Sequence, residues 1–375
     1  MSRGLPIDWE AEGLLDGLED ERARDARRKL LDELHEDGCD LELLRRAVAE
    51  DRLALLPVER LLGSEPRYSA RDLAEKTGLD LEYLTTTRRA LGVPVPDVDD
   101  IAFGDEELEA ARLALRFREA GFPDDEAIET TRVLAQGLAR YAEAIRTLAA
   151  ETFLEPGLTE YEVGKRYEAV ARELMPLAGP WMEHLFALHL RNVLRRDAIT
   201  REELATGRLA QRQPTAVAFA DLVGFTALGE SVPLEELGGV AARLARLARD
   251  VVEPPVRIVK MIGDAVMLVS PEADDLVETG LRLVEAAAGD DAFPAQRVGM
   301  AYGEAVNRWG DWFGSPVNVA SRLTARARPG SVLVSNDLHE AAADDGYEWS
   351  FAGEKSVKGL SAPVKTWRVR RSSDG

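Results

Sequence analysis

The change in hydrophobic pattern near residue 211 constrains the fold of this chain more than any other feature. Before it, Ala, Leu, Glu and Arg recur at helical spacing, and after it, β-branched runs alternate with amphipathic stretches. This change predicts an all-α domain at 1–190, a helical connector at 180–210 and a mixed α/β domain at 211–372. The predicted fold class is therefore α+β, with a helical domain followed by an α/β sandwich.

Helix breakers divide the first part into segments. The predicted helices are 20–35, 40–49, 69–77, 79–91, 105–120, 124–149, 159–175 and 180–205. Glycine and proline pairs separate them, and we expect the pair Gly179–Pro180 to end one helix before the connector begins.

In the second part, strand patterns alternate with helix patterns. The run TAVAFADLVGF at 215–225 is apolar, as a buried strand should be. The stretch 234–251 has the apolar stripe of an amphipathic helix. VRIVKMIGDAVMLVS at 256–270 predicts two strands around a tight turn at Gly263–Asp264.

Composition restricts the class of partner and the compartment. The formal net charge is −21, so the surface repels phosphate backbones and anionic membranes, and nucleic acid is an unfavourable partner. Cys39 is the only cysteine, which excludes an intramolecular disulfide and a cysteine-based zinc site. The sequence shows neither a signal peptide nor an apolar run of membrane-spanning length, so we expect a cytoplasmic protein.

Two aspartates at strand ends are the first candidate functional residues. Asp221 lies in the second half of the apolar run 215–225, where we expect the strand to end, and Asp264 lies at the tip of the predicted hairpin. If the strands are neighbours, the two carboxylates converge into an oxygen site suited to Mg²⁺ or Mn²⁺. The alternative is that Asp264 is an ordinary turn residue and Asp221 a solvated strand end.

A third segment, DWFGSPVNVASR at 311–322, adds polar groups on one helix face. Asn318 and Arg322 are spaced i, i+4 and therefore lie side by side. An amide and a guanidinium together suit an oxyanion or a phosphate. Lys358, in the run VKG near the C-terminus, offers a further cation.

Four motifs, FADLVGFT, KMIGD, DWFGSPVNVASR and VKG, occur in this order after residue 211. Together they resemble the catalytic domain of class III nucleotide cyclases over about residues 211–372. The resemblance implies a ferredoxin-like core and an adenylyl cyclase that converts ATP into 3′,5′-cyclic AMP and pyrophosphate with two Mg²⁺ or Mn²⁺ ions per site. The order of the two parts resembles bacterial cyclases that carry an autoinhibitory helical domain before the catalytic one.

The resemblance also implies a role for each matching residue. Those roles are metal binding for Asp221 and Asp264, purine recognition for Lys260 and Asp311, ribose and transition-state contacts for Asn318 and Arg322, binding of the terminal phosphates for Lys358, and phosphate contacts from the main chain of 222–226, which includes Phe225 and Thr226. The chemistry of Lys260 and Asp311 agrees with adenine, because a lysine donor and an aspartate acceptor match its N1 and N6. Guanine reverses that pattern, and a site built for one pattern rejects the other.

Family members form this site between two catalytic domains. The metal-binding aspartates come from one domain, and the purine, ribose and transition-state residues come from the other. This chain carries both sets, so the resemblance implies a head-to-tail homodimer with two equivalent sites.

Two other functions compete with this interpretation. One is a cyclase-fold module that senses nucleotides without catalysis. The other is a DNA-binding regulator, because residues 67–92 have the pattern of a helix–turn–helix. A P-loop enzyme is disfavoured because the motif GxxxxGK[ST] is missing from the sequence.

The connector contains two titratable residues, His184 and His189. Histidine changes charge between about pH 5 and 8, so acidification is one hypothesis for the regulatory signal. The alternative is that both histidines are simply packed helix residues.

Overall fold

The computed structural model describes residues 7–196, 212–225, 234–290, 292–343, 346–356 and 362–372. The chain divides into two compact units, Met1–Ala198 and Ile199–Gly375. Each unit has its own hydrophobic cores, and each is described separately below.

The first unit is helical throughout its described length, apart from loops. Its helices are α1 (Glu21–Glu36), α2 (Leu41–Ala49), α3 (Leu56–Leu62), α4 (Ala70–Thr77), α5 (Leu81–Leu91), α6 (Asp105–Glu119), α7 (Asp124–Phe153) and α8 (Glu160–Arg196), with a 3₁₀ turn at Leu53–Leu55. Side chains of Asp20, Asp40, Ser69 and Asp80 accept backbone N–H groups at the starts of their helices. The predicted all-helical region is confirmed, although the short helices between residues 53 and 62 were not predicted.

The predicted helix break at Gly179–Pro180 is wrong. Pro176 and Pro180 both lie inside α8, which runs without interruption through residue 196. A proline in a helix leaves a carbonyl one turn earlier without its N–H donor. Because residues 172–177 are exposed, water can satisfy those carbonyls and the helix continues. The first part of the predicted connector is thus the end of α8, and 197–210 lie outside the described residues.

An ion pair helps to hold α8 against a hydrophobic core of the first unit. This core is a buried cluster that includes Trp9, Leu31 and Leu44. At its edge, the buried guanidinium of Arg27 donates from Nε and Nη2 to the two carboxylate oxygens of Glu160, at 2.6 and 2.7 Å. Bidentate pairs of this kind fix orientation as well as distance.

The second unit is built on one sheet. Its strands in the described residues are β1 (Gln213–Leu222), β2 (Arg257–Ile262), β3 (Ala265–Ser270), β4 (Gln296–Arg308), β5 (Asp311–Gly314), β6 (Ser331–Ser335), β7 (Tyr347–Lys355) and β8 (Val364–Arg371). The strand order is β2-β3-β1-β4-β6-β8-β7, with β5 paired to β4. The central strand β1 is antiparallel to both β3 and β4, whereas β4 and β6 are parallel.

Helices cover both faces of this sheet, as the predicted α/β class requires. They are α9 (Leu234–Val251), α10 (Ala273–Ala288), α11 (Ser315–Thr324) and α12 (Asn336–Ala341). Alternate residues of β1 enter different cores: Ala218 packs with α9, α10 and α12, and Val217 and Phe219 pack with α11 and β5. Both faces of β1 are therefore buried, which explains its nearly continuous apolar sequence.

Gly299 lets α11 approach the sheet. A Cβ at this β4 position would lie 2.1 Å from the main-chain nitrogen of Thr324 and 2.6 Å from the carbonyl oxygen of Ala320. The Thr324 hydroxyl is within hydrogen-bond distance of the carbonyl oxygens of Phe219 and Ala320, at 3.2 and 2.8 Å. The helix that bears Asn318 and Arg322 is thus fixed against β1 and β4.

Among the described helices, none combines the length and the apolar character needed to span a membrane.

Candidate active site

The hairpin between β2 and β3 brings Asp264 beside the end of β1. Gly263 adopts φ 60°, the left-handed conformation that this tight turn requires. Asp221 is paired in register with Ala265, and the main-chain N–H of Leu222 donates to the carbonyl oxygen of Asp264 at 3.2 Å. The prediction that these strands are neighbours is confirmed.

The side chains of Asp221 and Asp264 interact directly. Burial raises the pKa of the Asp264 carboxyl, and the charge and hydrogen bonding of the adjacent Asp221 carboxylate raise it further. A half-buried pair of like-charged carboxylates gains most from a divalent cation that neutralises both. Within the described ranges, no group of three or more His, Cys, Asp or Glu residues is placed to hold a metal, so the pair would need oxygen ligands from outside it.

Arg297 is a functional candidate that the sequence analysis missed. It lies opposite Asp221 in the register of β4 and β1, and its Nε and Nη2 donate to Asp221 Oδ2 at 2.8 and 2.5 Å. The Asp221 side chain is 19% exposed, so its charge is compensated mainly by this guanidinium. Its local sequence, QRVGMAYG at 296–303, is typical of a strand, but only the register of β4 against β1 reveals the partner of the arginine.

Lys260 and Asp311 meet on the face of the sheet covered by α11. The Lys260 ammonium on β2 forms an ion pair with Asp311 at the start of β5. The second carboxylate oxygen of Asp311 accepts the main-chain N–H of Trp312 at 2.9 Å, which orients the carboxylate. Both side chains remain about one-third exposed, at 38% and 34%, so a bound molecule can reach them.

Asn318 and Arg322 lie together on the exposed side of α11, while Val319 and Leu323 face the core. The i, i+4 prediction is confirmed as a helical arrangement. Neither side chain makes a hydrogen bond or ion pair with another described residue. The structure therefore does not join them to the Asp221–Asp264 pair or to the Lys260–Asp311 pair within this chain.

Phe225, in the motif FADLVGFT, has a side chain that packs into a hydrophobic core. Its ring packs against the buried cluster of Leu222, Leu244 and Phe293, so only its main chain is available to a phosphate. Gly224, just before it, has φ 78° and turns the chain away from β1. Thr226 and Lys358 lie outside the described residues.

His184 and His189 are both exposed on α8. The ring of His184 stacks on Trp181, with 6.1 Å between ring centroids. The two histidines do not share a face of the helix. Neither forms a hydrogen bond with a titratable side chain among the described residues.

The helix–turn–helix pattern forms as α4, a turn at Gly78 and α5. However, α5 packs against α4 and α7, and most of its residues are buried or half-buried. Arg88 on α5 donates to the carbonyl oxygen of Pro94 at 2.7 Å, and its guanidinium lies over the Phe103 ring. A side chain held in this way is a packing residue rather than a base-reading one.

Comparison with known protein families finds one matching family for each of the two units. The family described as "Adenylate cyclase regulatory domain" matches residues 7–194, and the family described as "Adenylate and Guanylate cyclase catalytic domain" matches residues 209–371. The chain therefore belongs to the class III adenylate cyclases that carry a regulatory domain before the catalytic domain, and it is an enzyme of that class.

Curated relatives match this chain over most of their own length. The chain is 45% identical to a pH-sensitive adenylate cyclase of Mycobacterium tuberculosis, over 94% of this chain and 89% of the relative. It is 35% identical to an adenylate cyclase of Streptomyces griseus, over 76% of this chain and 71% of the relative. An uncharacterized protein of Mycobacterium tuberculosis is 31% identical over 94% of this chain and 92% of its own length.

Proposed function

We propose that the chain converts ATP into 3′,5′-cyclic AMP and pyrophosphate at sites shared between two copies of itself. The observation that carries the proposal is the presence of two distinct acidic arrangements in one unit: adjacent Asp221 and Asp264, and the Lys260–Asp311 ion pair. The first suits a cation with its phosphates, and the second suits a purine edge.

The Asp221–Asp264 pair fits divalent cations by the chemistry of its donors. Two carboxylates that raise each other's free energy are relieved by Mg²⁺ or Mn²⁺, and substrate phosphate oxygens would complete the ligand set. Bound there, the two cations would lower the pKa of the ribose 3′-hydroxyl and neutralise charge on the phosphates. The main-chain N–H groups of Leu222 and Val223 already donate to the carbonyl oxygens of Asp264 and Ala295, so those of Gly224 and Phe225 would be the ones to donate to phosphate oxygens.

Arg297 would change partner when substrate binds. In the free chain it compensates the charge of Asp221 through two hydrogen bonds. With a cation held by Asp221, the Arg297 guanidinium would be free to donate to a phosphate oxygen beside it. A planar guanidinium suits a phosphate because it donates two parallel hydrogen bonds.

Lys260 and Asp311 would open their ion pair to receive adenine. The ammonium donates to N1, and the carboxylate accepts from the N6 amino group. Guanine would place a donor against Lys260 and an acceptor against Asp311, leaving both groups unpaired in the site, so ATP is favoured over GTP.

Asn318 and Arg322 would act on a nucleotide whose cations are held by the other copy. Their exposure on α11 leaves them available to a partner's site. Arg322 would stabilise the charge that develops on the α-phosphate while the 3′-oxygen attacks, and Asn318 would orient the ribose. Lys358, from the motif VKG, would hold the terminal phosphates.

The helical unit would regulate this reaction by controlling how two catalytic domains meet. The M. tuberculosis relative is named for its pH sensitivity, which supports acidification as the signal and the α8 histidines His184 and His189 as candidates. Replacing both with alanine would leave the shape of the pH–activity profile unchanged if they take no part.

Two competing functions have less support. A nucleotide-sensing module without catalysis would be expected to lack a member of the catalytic set, and the sequence retains every one. DNA binding through α4 and α5 is opposed by the packing of α5 and by the net charge of −21.

The proposal is tested with the purified full-length chain, measuring cyclic nucleotide from ATP and from GTP with Mg²⁺ or Mn²⁺. We expect metal-dependent formation of cyclic AMP, with GTP a much poorer substrate. Arg322→Ala should lower kcat by about a hundredfold or more, because it removes a donor that acts in the transition state. Nucleotide binding without product, under every metal and pH condition, would support the sensing module instead.

A further inference from the structure

Arg326 extends the polar side of α11 by one turn. Asn318, Arg322 and Arg326 follow one another at intervals of four residues, and we call these three residues the α11 line. Although α11 itself ends two residues before Arg326, the main-chain N–H of Ala327 still donates to the carbonyl oxygen of Leu323, four residues earlier, at 2.8 Å. The helical geometry therefore continues, and Arg326 lies about 6 Å beyond Arg322 along the helix axis.

Burial along the helix shows that the members of the α11 line share one side. Val319, Leu323 and Ala327 each come one position after a member of the line, and all three are buried in the core between α11 and the sheet. The line itself is exposed at all three positions. Its side chains are therefore available together to a molecule outside this chain.

The guanidinium of Arg326 has no hydrogen-bond or ion-pair partner among the described residues. Acidic residues outnumber basic ones by 68 to 47 in this chain, so an arginine readily finds a carboxylate. Arg243 does so with Asp290 in the same unit. Two successive free guanidinium groups on one side of a helix, those of Arg322 and Arg326, suit an anion that carries more than one phosphate.

The order of residues in the α11 line gives the direction in which a nucleotide would lie. In the proposed function, on which this inference rests, Asn318 orients the ribose and Arg322 acts on the α-phosphate. The next position in the same direction is that of the β- and γ-phosphates, which Lys358 would also contact. These two phosphates depart together as pyrophosphate.

We propose that Arg326 is a further substrate-binding residue, and that its ligand is the pyrophosphate group of an ATP whose cations are held by the other copy. The ribose 3′-oxygen forms a bond to the α-phosphorus, and the hydroxyl proton passes to water. The bond from that phosphorus to the bridging oxygen breaks, and its electron pair leaves with pyrophosphate. Negative charge therefore grows on the leaving group beside Arg326, which stabilises it through charge-assisted hydrogen bonds.

A purely structural role for Arg326 is the alternative. The helix dipole favours a cation at the C-terminal end of a helix, and a residue with that role would affect stability without affecting nucleotide binding. Arg328 is the matched control, because it is also an exposed arginine without a partner among the described residues. It follows two residues later, after the helical geometry has ended, and lies off the α11 line.

Binding of two unreactive nucleotides to the full-length chain isolates the contribution of the pyrophosphate group. 3′-Deoxy-ATP lacks the attacking hydroxyl and cannot cyclise, and 3′-deoxy-AMP lacks the pyrophosphate as well. With Mg²⁺ present, Arg326→Gln should weaken binding of 3′-deoxy-ATP by about tenfold and leave binding of 3′-deoxy-AMP unchanged. Arg328→Gln should change neither. Arg326→Lys should retain part of the affinity, because it keeps the charge without the planar fork.

The inference is overturned if Arg326→Gln and Arg328→Gln bind 3′-deoxy-ATP equally well, or if Arg326→Gln weakens both nucleotides to the same degree. A lower Tm in Arg326→Gln with unchanged affinity for 3′-deoxy-ATP would assign the residue to the helix end and overturn it too. So would a wild-type chain that does not bind 3′-deoxy-ATP.

Cyclic AMP formation by the same proteins separates this inference from the proposed function. A wild-type chain that makes cyclic AMP, with an Arg326→Gln variant of equal kcat and equal nucleotide affinity, would overturn only the role of Arg326. Binding of 3′-deoxy-ATP that depends on Arg326, in a chain that makes no cyclic AMP with Mg²⁺ or Mn²⁺, would support that role and contradict the proposed function.

Discussion

Arg297 and Asp221 face each other across β4 and β1, and two guanidinium nitrogens of Arg297 donate to the same carboxylate oxygen. Arg297 thus compensates the charge of Asp221. The neighbouring carboxyl group, that of Asp264, has a pKa raised by burial and by the charge of Asp221. The free site is therefore balanced by a positive charge supplied by the protein itself, in the place where a cation would act.

Arg297→Met should destabilise the catalytic unit and make it depend more on divalent cations. The variant leaves Asp221 without its counter-charge, which we expect to cost about 1–3 kcal/mol in the free energy of unfolding. Mg²⁺ or Mn²⁺ restores the missing positive charge, so the metal-induced rise in Tm should be larger than in the wild type. Arg282→Met, which removes an exposed pair with Glu253, is the control. Equal metal-induced shifts in Arg297→Met and the wild type would contradict this account.

Lys260→Ala should reduce the preference for ATP. In the proposed function the lysine supplies the donor that matches adenine, so kcat/KM for ATP should fall by about a hundredfold or more, while the value for GTP changes little. Lys365→Ala removes an exposed lysine on β8 and should alter neither substrate. Parallel losses for ATP and GTP in Lys260→Ala would show that the residue does not distinguish the bases.

Gly299→Ala should destabilise the catalytic unit strongly. The added methyl group would overlap the main chain of α11 at Thr324, which cannot move aside as a flexible side chain could. We expect a loss of about 3 kcal/mol in denaturant unfolding. Gly239→Ala is the matched control, because its Cβ meets no atom within 4 Å and lies in helix α9. That substitution should be neutral or stabilising by up to about 1 kcal/mol; a similar loss in both variants would refute the close-approach argument.

Lys165→Met should weaken the helical unit in a pH-dependent way. Burial raises the pKa values of Glu33 and Glu168, but hydrogen bonds from Lys165 and other neighbours outweigh it, so both pKa values are lowered. Lowered carboxyl pKa values contribute stability above the unfolded-state value, and this contribution is lost as pH falls through the folded-state value. The variant should therefore lose about 1 kcal/mol at pH 7, and less below about pH 4.

Thermal unfolding at several pH values measures this effect, with the exposed Lys76→Met as the control. A difference from the wild type that stays constant down to pH 3 would show that Lys165 does not act through these two carboxylates.

The sequence predicted the features that depend on local pattern. The hairpin around Gly263 and the helical face shared by Asn318 and Arg322 follow from short-range spacing, and both are present. The convergence of Asp221 and Asp264 required only one further assumption, namely that their strands are neighbours, and β1 does pair with β3.

The features that the sequence did not predict depend on contacts between distant segments. Arg297 acquires its meaning only from the register of β4 against β1. The continuity of α8 through Pro180 depends on solvent being available to the freed carbonyls, which local helix rules do not describe.

Mixing two inactive variants tests most directly the claim that each catalytic site takes residues from two copies. Asp221→Ala damages the cation side, Lys260→Ala damages the purine side, and each variant alone should have little activity. After subunit exchange, verified with two different affinity tags, half of the dimers are mixed and each has one intact site, so activity should reach about one-quarter of the wild-type value. Mixed dimers that form in the expected amount yet make no more cyclic AMP than the separate variants would contradict the shared site.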